Sequence, residues 1–482
     1  MNKLLKIFQI IVLLFLTIIS TNCERNKVPK PKNVILFIAD GCGYNHVDAA
    51  SYYQFGKTGM QTYEQFPVKV GMSTYTIKES YDPDSAWANF NYVKKRPTDS
   101  AGSISSISTG KKTNRGVLCV DTLNQPLENL CDKYENIGKS TGVVSTVPFA
   151  NATPAGIIAH NTNRQNYVDI AKEMILESSA DVIIGGGHPF YNPDGSLISE
   201  VAERYVGSKE VWDMNNGGKP LTSEDGKMIP ESEFRYVGGR EVWDALSNGT
   251  ASNDADGDGE VDPWTLIQDR ESFQKFMTGE TPNRLIGIFK SGQASQVERD
   301  TTGETWEPFS IPFIETIPTL SEMTMTAINV LDENQNGFLL LVEGGAIDWA
   351  AHEHVLSRTI EEQIDFNKAI EAACDWVEKN SSWDETLIIV TSDHDGYLLG
   401  PGSNSADAAT MADKWKPLKN NGKGKMPGVE WFTGGHTNSL VPFYAKGPGS
   451  DLFLKRATRT DPVHGKFIDN TDVGKVLHSF IN

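Results

Sequence analysis

Three short apolar runs stand out along the chain, and each ends in a carboxylate. Val34-Ile-Leu-Phe-Ile-Ala39 passes into Asp40-Gly41-Cys42-Gly43, Phe338-Leu-Leu-Leu-Val342 into Glu343-Gly344-Gly345, and Leu387-Ile-Ile-Val-Thr-Ser392 into Asp393-His394. Runs this short and this uniformly apolar predict strands buried on both faces. Thr141–Val147, Asp181–Ile184 and Leu440–Ala445 predict three more. The expected fold is a three-layer α/β/α sandwich with a mostly parallel central sheet, its carboxylates gathered at the carboxyl edge, where open α/β folds place their sites. Buried unpaired carboxylates are costly, so several converging at one edge call for cations. After Gly345 the period turns helical, which puts Asp348 and His352 on one face. A carboxylate and an imidazole four residues apart can hold zinc, with Glu343 a turn away; an ordinary surface helix is the alternative.

Between these runs lie segments of a different texture. Asp99-Ser100-Ala101-Gly102-Ser103 opens a stretch of small and hydroxyl residues reaching Gly110, suited to a helix that something approaches closely. Ser100 would sit near its positive end, where an anion or alkoxide is favoured, unless Asp99 or Ser100 is only a cap. Thr153-Pro154 predicts a helix start. Arg164 follows in a polar cluster and is the residue type that grips an oxyanion with two parallel donors. From about 190 to 280 and from about 396 to 432 the chain reads as two insertions rich in Gly, Asn and Asp or Lys. The first holds a near-repeat, Arg204–Asp213 and Arg235–Asp244, too few copies for a solenoid. It also holds Asp254, Asp256 and Asp258, which begin like a calcium loop with Asp262 at the ninth position and Thr265 where an EF-hand has Glu; a structural calcium and a plain acidic turn both fit. The second insertion leads into Gly434-Gly435-His436-Thr437.

Composition narrows the function. A net charge of −19 over 482 residues lacks the basic footprint of a nucleic-acid binder, and any anion site must be built from local groups. Lys3 and Lys6 precede an apolar stretch from Ile7 to Ile19, which reads as an export signal covering residues 1–22. Cys23 lies where a bacterial lipoprotein would be cut and lipidated; plain secretion and an uncleaved anchor are the alternatives. Residues 23–32 read as a tether and 33–482 as the catalytic domain. Cys119 and Cys131 are a candidate disulfide that spacing does not decide, and Cys42 reads as a small buried thiol rather than a ligand.

Taken in order, Phe-Ile-Ala-Asp40-Gly-Cys-Gly, Thr-Asp99-Ser100-Ala-Gly-Ser, Ala-Thr153-Pro-Ala with Asn-Arg164, Val-Glu343-Gly-Gly-Ala-Ile-Asp348 with His352, Thr-Ser-Asp393-His394 and Gly-Gly-His436-Thr resemble the motifs of the alkaline phosphatase family. The resemblance runs from about Asn33 to the C-terminus outside the two insertions. It implies that Asp348, His352 and His436 hold one zinc ion and Asp40, Asp393 and His394 a second. Asp40 would bridge to a third site, usually magnesium, completed by Thr153 and Glu343. It implies Ser100 as nucleophile, forming a phosphoserine, and Arg164 as phosphate clamp. Many relatives carry Asp or His at the position of Asn151 and Lys or another residue at that of Trp349, so a weaker or different third ion is expected here.

The expectation is an exported, zinc- and magnesium-dependent phosphomonoesterase of the cell envelope. It would act on small phosphomonoesters, touch the membrane only through an anchor at Cys23 and, by resemblance, form a homodimer. A phosphodiesterase or sulfatase of the same superfamily is the runner-up. A non-catalytic surface lipoprotein binding calcium or glycan is the reading from another class.

Overall fold

The computed structural model describes residues 29–89, 91–198, 231–299, 307–396, 398–403 and 415–481. The expected export signal, Cys23, the first copy of the near-repeat and part of each expected insertion lie outside these residues. Among the described residues, no helix is long and apolar enough to cross a membrane.

The apolar runs form one twisted sheet of eleven strands. In spatial order these are Arg459–Asp461, Gly465–Asp469, Val68–Ser73, Val441–Lys446, Thr386–Thr391, Asn33–Ala39, Phe338–Gly344, Ser140–Pro148, Val182–Gly186, Leu285–Ile288 and Thr265–Ile267. The seven from Thr386–Thr391 onward are all parallel. Val441–Lys446 runs against its two neighbours, so the strand expected at Leu440–Ala445 turns out to be antiparallel. Both faces of the sheet are apolar and covered. One packs on the helices Ser100–Thr109, Tyr167–Leu176 and Asn470–Ser479, the other on Leu320–Leu331 and Leu356–Asn380. This is the three-layer α/β/α sandwich, and it explains why the central strands carry no polar alternation.

The chain leaves the central strand Asn33–Ala39 and returns later on both of its sides, at Phe338–Gly344 and at Thr386–Thr391. That reversal opens a crevice at the carboxyl ends, directly beyond Ala39. Register then fixes heights: Ile38 is level with Thr391 and with Glu343, and Glu343 is level with Ser145.

Part of the first expected insertion is woven into the fold. Thr265–Ile267 closes the sheet edge, and the buried Trp264 indole donates to Ile175 O at 2.7 Å. In the second, Leu398–Leu399 pairs with Glu430–Trp431 as a small two-stranded ribbon. Cys119 and Cys131 are unpaired and buried, as are Cys42 and Cys374.

The long helix Leu356–Asn380 buries an acidic side as well as an apolar one. Glu361 takes Arg299 and Arg358, each at 2.7 Å. Its neighbour Glu362 is pushed up to about 8, first by burial and next by the Asp365 carboxylate. The native chain thus holds a proton that the unfolded chain releases near its ordinary 4.5, and stability falls as pH rises from there through about 8. Glu362→Gln is therefore expected to raise Tm, little at pH 5 and increasingly up to pH 8, with a constant gap above that. Thermal melts from pH 5 to 9 check this, and a pH-independent gap would refute it.

Candidate active site

Each part of the crevice is delivered by a different element. Asp40 follows the central strand directly, and Gly41 takes a left-handed φ of 67°. A side chain on Gly41 would also strike Asp348, so glycine is required there twice over. Glu343 lies within its strand, and Asp393 comes two residues past Thr391. Asp348 and His352 lie on one face of the short helix Ala346–His352. His436 comes from an irregular loop.

These side chains form two adjoining groups. His352 Nε2 lies 3.2 Å from Asp348 Oδ2 and 3.1 Å from His436 Nε2, which is 3.8 Å from Asp348 Oδ1. His394 Nε2 lies 3.3 Å from Asp40 Oδ1 and 3.2 Å from Asp393 Oδ2. The groups touch, because the His394 and His436 rings stack at 3.5 Å and the donor atoms of Asp348, His394 and His436 also cluster. Zinc bonds of about 2.0–2.1 Å in tetrahedral geometry place donor atoms about 3.3 Å apart, close to these spacings.

Further observations fit these residues to cations. His352 Nδ1 meets Gly434 O at 2.7 Å and His436 Nδ1 meets Thr98 O at 2.9 Å. An Nδ1–H donated to a backbone carbonyl leaves the Nε2 lone pair facing the group, the usual support of a metal-bound imidazole. Asp40 Oδ1, Asp393 Oδ2 and His394 Nδ1 are buried without a hydrogen-bond partner. His394 Nε2 also lies 3.4 Å from Ser100 Oγ. One ring nitrogen cannot direct bonds to three oxygens, whereas a cation among them satisfies all.

The electrostatics agree. Burial, then the charges of Asp393, Asp348 and Glu343, push Asp40 well above the carboxylate range. Asp393 rises to about 7 through burial and then Asp348. Burial also lifts Glu343 to about 7, against a short hydrogen bond from Ser145. Burial would raise Asp348 as well, but its bond from His352 and the nearby His394 and His436 hold it low. His352 is in turn pushed up to about 9, first by that bond. Bound cations remove the conflict that raises three of these carboxylates.

Thr153 Oγ1 stands 3.5 Å from Asp40 Oδ2, so Asp40 joins a third group made with Thr153 and Glu343. Asn151 is buried beside it, with its Nδ2 unpartnered. Trp349 packs, as does Val297, against a small cluster of Val147, Ala294 and Ala346.

Ser100 opens the helix Ser100–Thr109, capped by Asp99, which accepts from Gly102 N at 3.0 Å. The cap and Ser100 are therefore adjacent residues. Arg164 Nη1 donates to Asp99 Oδ2 at 3.2 Å, which holds the guanidinium beside Ser100. The pairing of Asp99 with Arg164 and the place of Ser145 are not legible in the sequence. Asp99 was legible only as a cap, and Ser145 emerges only from strand register with Glu343. Cys42 directs its thiol to Gln363 Oε1 at 2.9 Å, away from the cluster. In the acidic loop, Asp254 and Asp256 come together with Asp262, while Asp258 accepts from Glu260 N.

The alkaline phosphatase family model matches residues 31–425. Alkaline phosphatase 3 of Bacillus subtilis (strain 168) is 25% identical over 504 residues, covering 92% of this chain and 87% of that protein. Alkaline phosphatase of Escherichia coli (strain K12) is 29% identical over 467 residues, covering 89% and 84%. Among solved structures, alkaline phosphatase from the Antarctic bacterium TAB5 superposes with a TM-score of 0.58 at 22% identity, over 94% of this chain and 99% of that one. A mutant of the TAB5 enzyme is described with magnesium bound in its M3 site.

Chelator treatment is expected to lower Tm, and added zinc to restore it by several degrees, as for any ligand that binds only the native state. In His394→Ala, zinc titrated into stripped protein should give less heat and a smaller rise in Tm. Melting and titration that ignore chelator and zinc alike would show that the cluster holds no ion.

Proposed function

The chain belongs to the alkaline phosphatase family, and from that premise we propose that it hydrolyses phosphate monoesters through a phosphoserine at Ser100. The observation that carries this reading is the placement of Ser100 Oγ. It is buried at the positive end of its helix, 3.4 Å from His394 Nε2, with Arg164 anchored beside it on Asp99.

Asp348, His352 and His436 would hold one zinc ion, Asp40, Asp393 and His394 a second, and Asp40, Thr153 and Glu343 a magnesium ion. Bound there, such ions supply positive charge to the reacting oxygens and lower the pKa of the Ser100 hydroxyl.

The chain's own groups do the rest. Ser100 Oγ, having given up its proton to solvent, attacks phosphorus in line with the leaving oxygen; the P–O bond to the alcohol breaks, the departing alkoxide takes a proton from solvent, and an O–P bond to Ser100 forms. Water then attacks from the vacated side, releasing phosphate and restoring the hydroxyl. Arg164 donates from two nitrogens to non-bridging oxygens, where phosphoryl charge resides. That grip needs a terminal phosphate with free oxygens, which favours monoesters over diesters. Asp99 caps the helix and aims the guanidinium, so one carboxylate orients both partners of the substrate.

The positively charged and apolar leader supports export, with lipid anchoring at Cys23 and an envelope location. Homodimer formation is proposed from family membership.

Purified protein should hydrolyse 4-nitrophenyl phosphate in a zinc-dependent manner. Ser100→Ala is expected to lose on the order of 10³-fold in kcat, and Arg164→Ala about 10- to 100-fold in kcat/KM, the worth of charge-assisted bonds at a reacting group. Metal-loaded protein that ignores this ester and cleaves only diesters or sulfate esters would overturn the reading.

A further inference from the structure

Lys94, Lys95 and Arg96 are consecutive, exposed, and end only three residues before Asp99 and Ser100. Their backbone is fastened to the loop carrying His436. Buried Asn438 donates from its backbone N to Val93 O at 2.7 Å and from Nδ2 to Lys95 O at 3.0 Å, while His436 Nδ1 meets Thr98 O at 2.9 Å. Lys94 Nζ lies 4.6 Å over the Phe432 ring, which fixes its direction along the same loop. Arg96 is neutralised by Glu79 at 3.0 Å.

A further cation arrives from later in the chain. Gly116 N donates to the two Asp99 oxygens at 3.2 and 3.0 Å, and Gly116 O accepts Arg164 N at 2.8 Å. Arg115, the preceding residue, is therefore held beside the Asp99–Arg164 pair, and it is exposed. Asp99 is already spent on Arg164, and the exposed Glu353 lies beside His352, against the same Gly434–His436 loop. Exposed Asp82 and Asp84 lie on the helix Pro83–Ala88 and its cap, on the far side of Arg96 in the chain.

A net charge of −19 repels an anion at long range, and a bis-anion more strongly. Within a Debye length of about 8 Å, local cations outweigh that field. We propose that Lys94, Lys95 and Arg115 form an outer anion subsite, so that the favoured substrates are phosphomonoesters bearing a second phosphate group. One phosphate would enter the Ser100 site while the other meets the rim. The proposal rests on the phosphomonoesterase reading above.

The test is a matched pair, glucose 6-phosphate and glucose 1,6-bisphosphate, followed by initial phosphate release with the metal-loaded full chain. Wild type is expected to prefer the bisphosphate in kcat/KM, through KM, and the preference should shrink with added salt. In Lys94→Ala/Lys95→Ala and in Arg115→Ala the ratio of the two kcat/KM values should fall about fivefold, as expected for one or two exposed charge contacts. Lys423→Ala/Lys425→Ala removes the same charge at the other end of the helix Tyr44–Phe55, near Gly56, and should leave the ratio alone. Equal losses on both substrates, an unchanged ratio, or an equal fall in the distant control would overturn the subsite. Hydrolysis of neither ester, nor of 4-nitrophenyl phosphate, would overturn the phosphomonoesterase reading itself. Hydrolysis of all three with an unchanged ratio would overturn the subsite alone.

Discussion

Carboxylates forced together at the ends of neighbouring strands set the terms for this molecule. Asp40, Glu343 and Asp393 end or follow three parallel strands only one hydrogen-bonding step apart, and Asp348 hangs over them from a short helix. All four are buried. Left to themselves they can relieve the repulsion only by taking up protons, which is what the upward displacement of Asp40, Asp393 and Glu343 expresses. Protonation would spoil them as ligands, whereas cations among them would relieve the same repulsion. The sheet tolerates the strain because its strands are buried along their whole length and cannot slip register without exposing them.

The helix Ser100–Thr109 meets the opposite difficulty, being polar and yet wholly buried. Its hydroxyls solve this by bonding to backbone. Ser103 donates to Asp393 O at 2.6 Å, Ser105 to Val117 O, Ser106 to Gly102 O and Thr109 to Ser105 O. The Ser103 bond ties the helix directly to a ligand-bearing loop. Small side chains also let Asn114 and Thr76 come close to Gly102, where a methyl group would crowd both. The hydroxyl-rich composition is thus a packing solution, and it keeps Ser100 at a fixed height against His394.

Apolar runs made the central strands legible, because a strand buried on both faces leaves no other reading once its length is short. The sharing of a helix face by Asp348 and His352 was legible for the same geometric reason. Three features were not. The direction of Val441–Lys446 depends on the path of the preceding loop, and nothing in its own residues encodes it. Thr265–Ile267 looked like insertion because its apolar run is only three residues long, too short for a period to show, yet it closes the sheet edge. Asp99 carries two duties, cap and guanidinium partner, and sequence displays only the nearer one, since Arg164 is 65 residues away. Long-range partners of this kind follow from register and topology, which local pattern does not contain.

The loop that supplies His436 has no regular structure and is held entirely by side-chain and isolated backbone bonds. Thr437 donates its hydroxyl to Asp395 Oδ2 at 2.8 Å and its N–H to Asp395 O at 2.9 Å, while Asn438 clips it to Val93 and Lys95. Asp395 in turn fits only because Gly43 has no side chain: a Cβ there would overlap its carboxylate. So segments flanking three separate strands, near Asp40, after Asp393 and before Val441, interlock through one carboxylate. His436 Nδ1 passes the same constraint to Thr98, next to the cap of the nucleophile's helix. A shift of this loop would move His436, the approach to Ser100 and the backbone of Lys94 and Lys95 together. Their coupling means that whatever orders the carboxylate and imidazole cluster also orders the proposed outer subsite.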